Sequence, residues 1–338
     1  MKKISIIDVS KKAGVSVSTV SQVLRQKGKI SDSTIKKVHA TIRELGYIHN
    51  VAAANLRART SNIIGLILQN VSNSFSIRVM TGIIRELETQ GFMTFLGQPL
   101  DEHEHLERCI LSFKQQGVAG IIYLASDPCR NTLPRQICQC SLPLVAVSQS
   151  PVKEEYNLVM CDNQQAASIA TRYLIEQGHR YIAYIGGQEN DLIRQQRLMG
   201  FHNTLAKSGM TSREEFTPTC DDDTQSASLA TRLLLENYNA VTALLCHSPD
   251  AMVGCIDGIH RVGRTVGKDV FLTQQVALIG FEDMLHINLT SPAFTYISSV
   301  SEEAGRQAAT LMIRKLRDPL LPVQSIILSG QLVICESA

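Results

Sequence analysis

A chain of 338 residues with 44% apolar content has room for one small and one or two medium domains, each with its own core. Its nine cysteines are odd in number, scattered and without any Cys-x-x-Cys pair, so they read as reduced cytoplasmic thiols rather than a disulfide framework. The formal charge of +2 conceals a split: residues 1–60 hold twelve Lys and Arg against Asp8, Asp32 and Glu44, a net of +9, and the remainder nets −7. A basic head of this kind binds polyanions, and an acidic body does not. Neither an apolar stretch behind the N-terminal lysines nor a run of ~18 apolar residues is present, so neither export nor membrane insertion is expected.

The head reads as three helices. Ser5 caps the first, with acidic Asp8 three residues on; Val9 and Ala13 face inward, and Gly14 breaks it. The second, capped by Ser16, runs from Val17 to Arg25. At ~100° per residue its Thr19, Val20, Val23 and Leu24 fall on one side, and Val17, Ser18, Ser21, Gln22 and Arg25 on the other. The first set packs on a neighbouring helix. The second offers a donor, an acceptor, a cation and a methyl-bearing side chain, which is the chemistry of base edges. A third helix, capped near Ser31, carries Ile35, Val38, Ile42 and Leu45 and stops at Gly46. A helix, a tight turn at glycine and a second helix with a readable outer face form a helix-turn-helix pattern, whose second helix enters the major groove. The alternative is a small helical bundle with a solvated basic surface.

The run Asp8-Val9 through Ala13-Gly14-Val15-Ser16-Val17-Ser18-Thr19-Val20-Ser21, followed by Leu45-Gly46-Tyr47 and Asn50, resembles the LacI/GalR family of bacterial repressors, and the resemblance continues through almost the whole chain. It implies a lambda-repressor-like helix-turn-helix over 1–47, a hinge over 48–60, and a periplasmic-binding-protein-like α/β body over 61–338 made of two doubly wound parallel-sheet lobes. The implied lobes are about 61–161 with 292–325, and 162–291 with 326–338. The implied partners are a second copy of the chain, a pseudo-palindromic DNA operator and a small-molecule effector such as a sugar. Operator contacts are expected from Ser5, Ser16, Val17, Ser18, Ser21, Gln22 and Arg25. The tether from Asn50 to Arg57 is too short to persist alone as a helix. By resemblance it is the family's hinge helix, with Asn50, Ala53, Leu56 and Arg57 at DNA and Leu56 as the wedge in the central minor groove, which calls for a pyrimidine–purine step there. Gln22 stands where arginine is common; glutamine pairs with adenine, so an adenine is expected opposite it.

From Asn62 onward, short apolar runs alternate with amphipathic helices: strands at Ile63–Leu68, Phe92–Leu96, Val118–Leu124 and Leu144–Val147 interleave with helices. This is βαβ repetition, hence a parallel sheet with both faces covered. A second set begins at Val159 and runs through helices 163–177, 192–208 and 250–262 and strands Tyr181–Ile185, Ala243–Cys246 and Gln275–Ile279. Two similar halves argue for two lobes, with the cleft at the strand carboxyl ends as the default pocket. Family landmarks recur at Asp162-Asn163, Gly178-His179, Ile182 to Gly187 and Arg197-Leu198-Met199-Gly200-Phe201. Asp162, Asn163 and His179 read as caps and turn residues. Arg197 matches the arginine that clamps effector in relatives.

The pocket also departs from the family. Where relatives usually have Asn-Asp, this chain has Ser248-Pro249-Asp250; where they have Gly-Phe-Asp-Asp, it has Gly280-Phe281-Glu282-Asp283. Phe75 and Gln149 match positions that often line the cleft. Effector contacts are therefore expected from Phe75, Gln149, Arg197, Ser248 and Glu282, in a site altered so that a typical pentose or hexose is not expected to fit. The long segment Arg264 to Gln275, together with that pocket, is similar to a branch of the family concerned with maltose or glucoside metabolism.

Catalysis is not expected. Gly263 to Lys268 misses the phosphate-loop spacing, no Gly-x-Gly-x-x-Gly follows the first strand, His103 and His105 do not share a helical face, and Asp221-Asp222-Asp223 reads as a solvated loop. No cofactor or metal is expected, and no leucine heptad at the C-terminus supports a tetramer. The rival readings are an architectural DNA-binding protein with a ligandless body and a sugar-binding protein of uptake.

Overall fold

The computed structural model describes residues 4–24, 30–47, 61–68, 71, 74–99, 104–125, 129, 132–149, 156–269, 272, 274–281 and 292–338. The chain divides into two compact units, Met1–Ser61 and Asn62–Ala338.

The first unit contains α1 (Ile6–Ala13), α2 (Val17–Leu24) and α3 (Asp32–Leu45). Each start and stop has a local cause. Ser5 Oγ accepts from the Asp8 amide, while the Asp8 carboxylate accepts the Ser5 N–H at 2.8 Å, a reciprocal cap that satisfies two amides the helix cannot. Gly14 and Gly46 close α1 and α3 in the left-handed region, both at φ +63°, where a Cβ would be strained. Val9, Ala13, Val20, Val23 and Val38 form the buried core, with Ile35, Ile42 and Leu45 of α3 packed against it.

The second unit has two sheets. The first runs in the order β11-β5-β4-β3-β1-β2, with β1 (Ile63–Leu68), β2 (Met93–Gly97), β3 (Gly120–Ala125), β4 (Leu144–Ser148), β5 (Asn157–Cys161) and β11 (Ser325–Leu328) all parallel. The second runs β12-β10-β9-β7-β6, with β6 (Ile182–Ile185), β7 (Ala243–Cys246), β9 (Gln275–Phe281), β10 (Thr295–Ser298) and β12 (Gln331–Val333); the short β8 (Thr265–Val266) pairs with β9. In this second sheet β12 is antiparallel to β10.

Crossover helices cover both faces, which is why the strands read as unbroken apolar runs. Those in the first lobe are α4 (Ser74–Thr89), α5 (Glu104–Gln115), α6 (Arg135–Cys138) and α11 (Ser301–Arg317). Those in the second are α7 (Asn163–Glu176), α8 (Leu192–Lys207), α9 (Thr224–Asn237) and α10 (Pro249–Arg261). Two apolar clusters fill the first lobe and two the second, one on each face of each sheet.

Three expectations need correction. The second set of elements does not begin at Val159: its strand β5 lies within the first sheet, between β4 and β11, inside the span 61–161 expected for the first lobe. The C-terminal boundaries also shift: β10 belongs to the second sheet and β11 to the first, so the crossings fall between β10 and α11 and between β11 and β12, rather than at 292 and 325. Finally, Asp221 to Asp223 is no plain loop. Asp223 caps α9, a helix absent from the sequence reading, by accepting the amides of Gln225 and Ser226 at 2.8 and 2.9 Å.

The three crossings lie side by side. The Asp162 amide donates to Leu328 O at 2.9 Å, and Cys161 Sγ approaches Ser299 O at 3.3 Å. Val300, at the second crossing, has φ +46°, a left-handed conformation that a β-branched residue adopts only at a cost.

Candidate functional site

On the helix-turn-helix unit, α2 turns Val20 and Val23 into the core and presents Val17, Ser18 and Gln22 outward. Val17 is 40% exposed, so its methyls are available rather than packed. Ser21 is half-buried. Two of the expected contact residues are already occupied by local structure. Ser16 Oγ accepts from the Thr19 amide at 3.0 Å and lies 2.8 Å from Thr19 Oγ1, and Ser5 Oγ is held in the reciprocal cap with Asp8. Their immediate work is to fix the ends of α1 and α2. Arg25, Asn50, Ala53, Leu56 and Arg57 lie outside the described residues, as does Glu282 of the cleft.

In the body, Arg197 is positioned by packing between two helices. Gly200, one turn on from Arg197 along α8, lets α8 approach α7 so closely that a Cβ there would sit 2.1 Å from Gln164 O. This close approach gives the Arg-Leu-Met-Gly-Phe run its physical reason. Arg197 is buried, its Nη1 donating to His247 O at 2.5 Å and its guanidinium carbon lying 4.2 Å from the centre of the Phe281 ring. Beside it, a crevice of about 20 Å³ is bounded by the crossings, at Asp162, Asn163, Ser299 and Gly330. That volume holds about one water molecule.

The other described effector candidates have these surroundings. Phe75 is 3% exposed and belongs to the apolar core of the first lobe. Gln149 contributes its main chain: its carbonyl accepts from Asn163 Nδ2 at 2.6 Å, and Asn163 also donates to Gln196 Oε1 at 3.0 Å. Asn163 thereby ties the end of the first lobe's β4 segment to α8 of the second. Ser248 caps α10, accepting the Ala251 amide at 3.1 Å and hydrogen-bonding Asp222, with Pro249 at the first helical position. Its hydroxyl is thus committed to the fold. Asp162 caps α7 and His179 Nδ1 lies 2.9 Å from Thr242 Oγ1, as the caps-and-turns reading has them.

A buried polar network under Arg197 was missed. Asp191 caps α8, accepting from Ile193 N at 2.7 Å and Arg194 N at 3.2 Å, and its other oxygen lies 3.0 Å from His247 Nε2. His247 Nδ1 is 2.7 Å from the Tyr184 hydroxyl. Arg194 Nε donates to Gly186 O at 3.1 Å and its Nη2 to Thr217 O at 2.7 Å. Burial alone would raise the Asp191 carboxyl pKa, but the hydrogen bond and charge of His247 and the two amides hold it below the usual range. Burial drives the Tyr184 hydroxyl upward, opposed by the Arg197 charge. The only sequence signal was a polar residue directly after the apolar strand Ala243–Cys246, which names no partner. The network fixes Arg197 from beneath and leaves its planar group sandwiched between a carbonyl and a ring.

Among the described residues no group of three or more His, Cys, Asp or Glu could hold a metal ion, and no helix is long and apolar enough to cross a membrane.

Comparison with known proteins agrees with this architecture. Residues 5–50 match the bacterial regulatory proteins of the lacI family, and residues 61–324 match the periplasmic binding proteins and sugar binding domain of the LacI family. The chain is 33% identical to the maltose regulon regulatory protein MalI of Escherichia coli (strain K12) over 338 residues, 99% of each chain. It is 51% identical to MalI of Vibrio furnissii over 121 residues, which is 36% of this chain and 88% of that one. Among solved structures, the lac repressor dimer bound to operator and the anti-inducer ONPF superposes with a TM-score of 0.80 at 21% identity, covering 99% of both chains. The transcriptional regulator CelR–cellobiose complex superposes with a TM-score of 0.70 at 25% identity, covering 99% of this chain and 100% of that one. Helix-turn-helix head, two-lobed body and full-length likeness together place this chain in the LacI family of bacterial regulatory proteins, as a LacI/GalR-type transcriptional repressor similar to MalI.

Proposed function

We propose that the chain acts in the cytoplasm as a homodimer that represses a maltose-related operon by gripping a pseudo-palindromic operator. The observation that carries this reading is the full-length likeness to a maltose regulon regulator, joined to a second helix whose outward residues Val17, Ser18 and Gln22 are exposed. Two such helices read adjacent major-groove half-sites, and the paired hinges with Leu56 open the minor groove between them. Dimerisation is supported by an unpartnered apolar face on the first lobe. Edge strand β2 exposes Met93, Phe95 and Leu96, with Met93 65% exposed, while Ile84 of α4 and Leu111 of α5 are exposed as well. An exposed apolar edge of this kind supports association. The proposed role is regulatory and includes no catalytic step.

Control comes from the body. A ligand that shifts operator affinity must bind the two lobe arrangements unequally, and the adjoining crossings at 162, 299 and 328 are where such rearrangement is absorbed. A second reading, a ligandless body, is favoured by the contacts Arg197 already makes with His247 and Phe281.

Footprinting on the chain's own upstream DNA tests the first reading: a single protected pseudo-palindrome is expected, and uniform coverage would overturn it. A thermal-shift panel of maltose, glucosides and pentoses separates the two readings of the body. A stabilising sugar that also changes the footprint supports the sensor, and none supports the ligandless body.

A further inference from the structure

The second lobe carries a surface groove away from Arg197. It is an open groove of about 680 Å³ on the second lobe, between α9 and the 214–221 segment, in the size range of small-molecule sites. Its floor is apolar: Leu229, Leu233, Leu234 and Tyr238 line it, and Leu229 and Leu233 are 50% and 46% exposed although they stand one turn apart on the same helix. A stripe of this kind on a soluble protein marks a binding surface.

The rim carries one sign of charge. Glu189, Glu215 and Asp221 line it, and among the described residues no lysine or arginine does. Two arginines near the groove are engaged elsewhere, and Arg232 on α9 pairs with Glu236 at 3.8 Å. Arg213 lies over the Tyr181 and Phe216 rings, at 6.0 and 5.5 Å, and Arg194 donates to the Gly186 and Thr217 carbonyls behind the groove. The negative field registers on a thiol at the groove wall: burial first, then Cys255 and the carboxylates of Asp223, Asp222 and Asp221 push Cys220 up to about 12.

The groove also backs onto the network beneath Arg197. Cys220 lines the groove, and Gly186 lies close to it and to His247: a Cβ there would meet His247 Cβ at 3.0 Å and Cys220 Sγ at 3.8 Å. Gly187 bridges to Cys220, and a Cβ on it would meet the Arg194 and His247 side chains at 3.0 Å. The groove wall at Cys220 therefore adjoins the turn packed against His247.

We infer that this groove is a second ligand site, separate from the interlobe cleft, that takes a small amphipathic cation: an ammonium or amidinium group at the acidic rim with an aryl or alkyl body laid on Leu229 and Leu233. Apolar area supplies the attraction, and the rim carboxylates select the charge. The site stands independently of operator recognition.

The test uses the full chain and two probes of one shape, 4-phenylbutylammonium and 4-phenylbutanoate, titrated calorimetrically at neutral pH. The ammonium is expected to bind at one site per chain, at least tenfold tighter than the carboxylate. Leu229→Arg, which lays the protein's own cation along an exposed position of the groove, is expected to weaken ammonium binding at least tenfold while leaving the urea unfolding midpoint in place. The double variant Glu189→Gln, Glu215→Gln is expected to erase most of the preference between the probes. Absence of saturable ammonium binding, equal binding of the two probes, or unchanged binding in stably folded Leu229→Arg would each overturn the assignment.

Discussion

Asp191 and His247 meet 3.0 Å apart inside the second lobe, one at the start of α8 and the other at the end of β7, and Arg197 donates to the backbone carbonyl of that same histidine. The candidate effector arginine is thus held by a residue whose ring is clamped between a carboxylate and the Tyr184 hydroxyl. Displacing any member loosens the arginine, because each is buried and has its partner from another segment of the chain.

The pair makes a prediction about acid stability. Asp191 is held below the ordinary carboxylate range when folded, so on acidification the unfolded chain takes up the proton first. Its contribution is complete above about pH 4, the ordinary carboxylate value, and is lost as pH falls through the lower folded value. Asp191→Asn keeps a good helix cap but removes the charge, and is expected to cost about 1–3 kcal/mol at neutral pH. Urea unfolding at a series of pH values should show a flatter acid limb in the variant; parallel limbs would refute the assignment.

Gly200 offers a packing test. A methyl there would lie 2.1 Å from Gln164 O, a backbone atom that cannot swing away. Gly200→Ala is expected to destabilise the chain by about 1–3 kcal/mol through separation of α7 from α8. Because Arg197 lies one turn away, a crystal structure of the variant should show the Arg197–His247 contact lengthened. An unchanged unfolding midpoint would show that the helices tolerate the methyl.

Gln22 is exposed on α2 and is predicted to read adenine. Gln22→Arg is expected to move the preferred base at one half-site position towards guanine, by about 1–3 kcal/mol of discrimination. Selection from a randomised operator measures this directly, and an identical consensus from both proteins would remove Gln22 from the contact set.

The edge strand β2 predicts the assembly. Phe95 is exposed there and also packs against Phe113, with ring centres 5.3 Å apart. Phe95→Glu places a charge on the apolar face and is expected to raise the dimer dissociation constant by at least tenfold, since an unpaired charge is costly to bury. Sedimentation across a concentration series would read the shift. A variant that stays dimeric at the same concentrations as the parent would place the interface elsewhere.

Val300 supplies a backbone test at the crossing between lobes. Its φ of +46° costs a β-branched residue about 1–2 kcal/mol, a penalty glycine does not meet. Val300→Gly should therefore leave the unfolding midpoint equal or higher, where the same change in a regular strand would lower it. A clear loss of stability would mean that the valine side chain supplies more packing than the backbone conformation costs.

Much of the head was legible because its instructions are local. Ser5, Gly14, Ser31 and Gly46 mark helix ends within a turn of where they act, and the spacing of Val9, Ala13, Val20, Val23 and Val38 selects the buried side of each helix. The same held for the alternation of strand and helix in the body. Two helices escaped, α11 (Ser301–Arg317) and α9, the latter beginning in Thr-Gln-Ser-Ala-Ser, residues that favour caps and turns as readily as a helix, behind an acidic run that resembles solvated loop.

By itself, then, the sequence determined the class of the protein, the three-helix head, its outward α2 side chains, the parallel sheets and the separation of basic head from acidic body. Only the tertiary structure decided which sheet receives β5, β10 and β11, because a short apolar run is equally at home beside any neighbour and pairing is settled by the whole layer. It also decided that Phe75 is core, that Ser248 is a cap, and that Asp191, Tyr184 and His247 share one buried site. Hydrogen bonds between residues on different strands and helices have no local spacing to announce them, and burial alone makes their geometry strict.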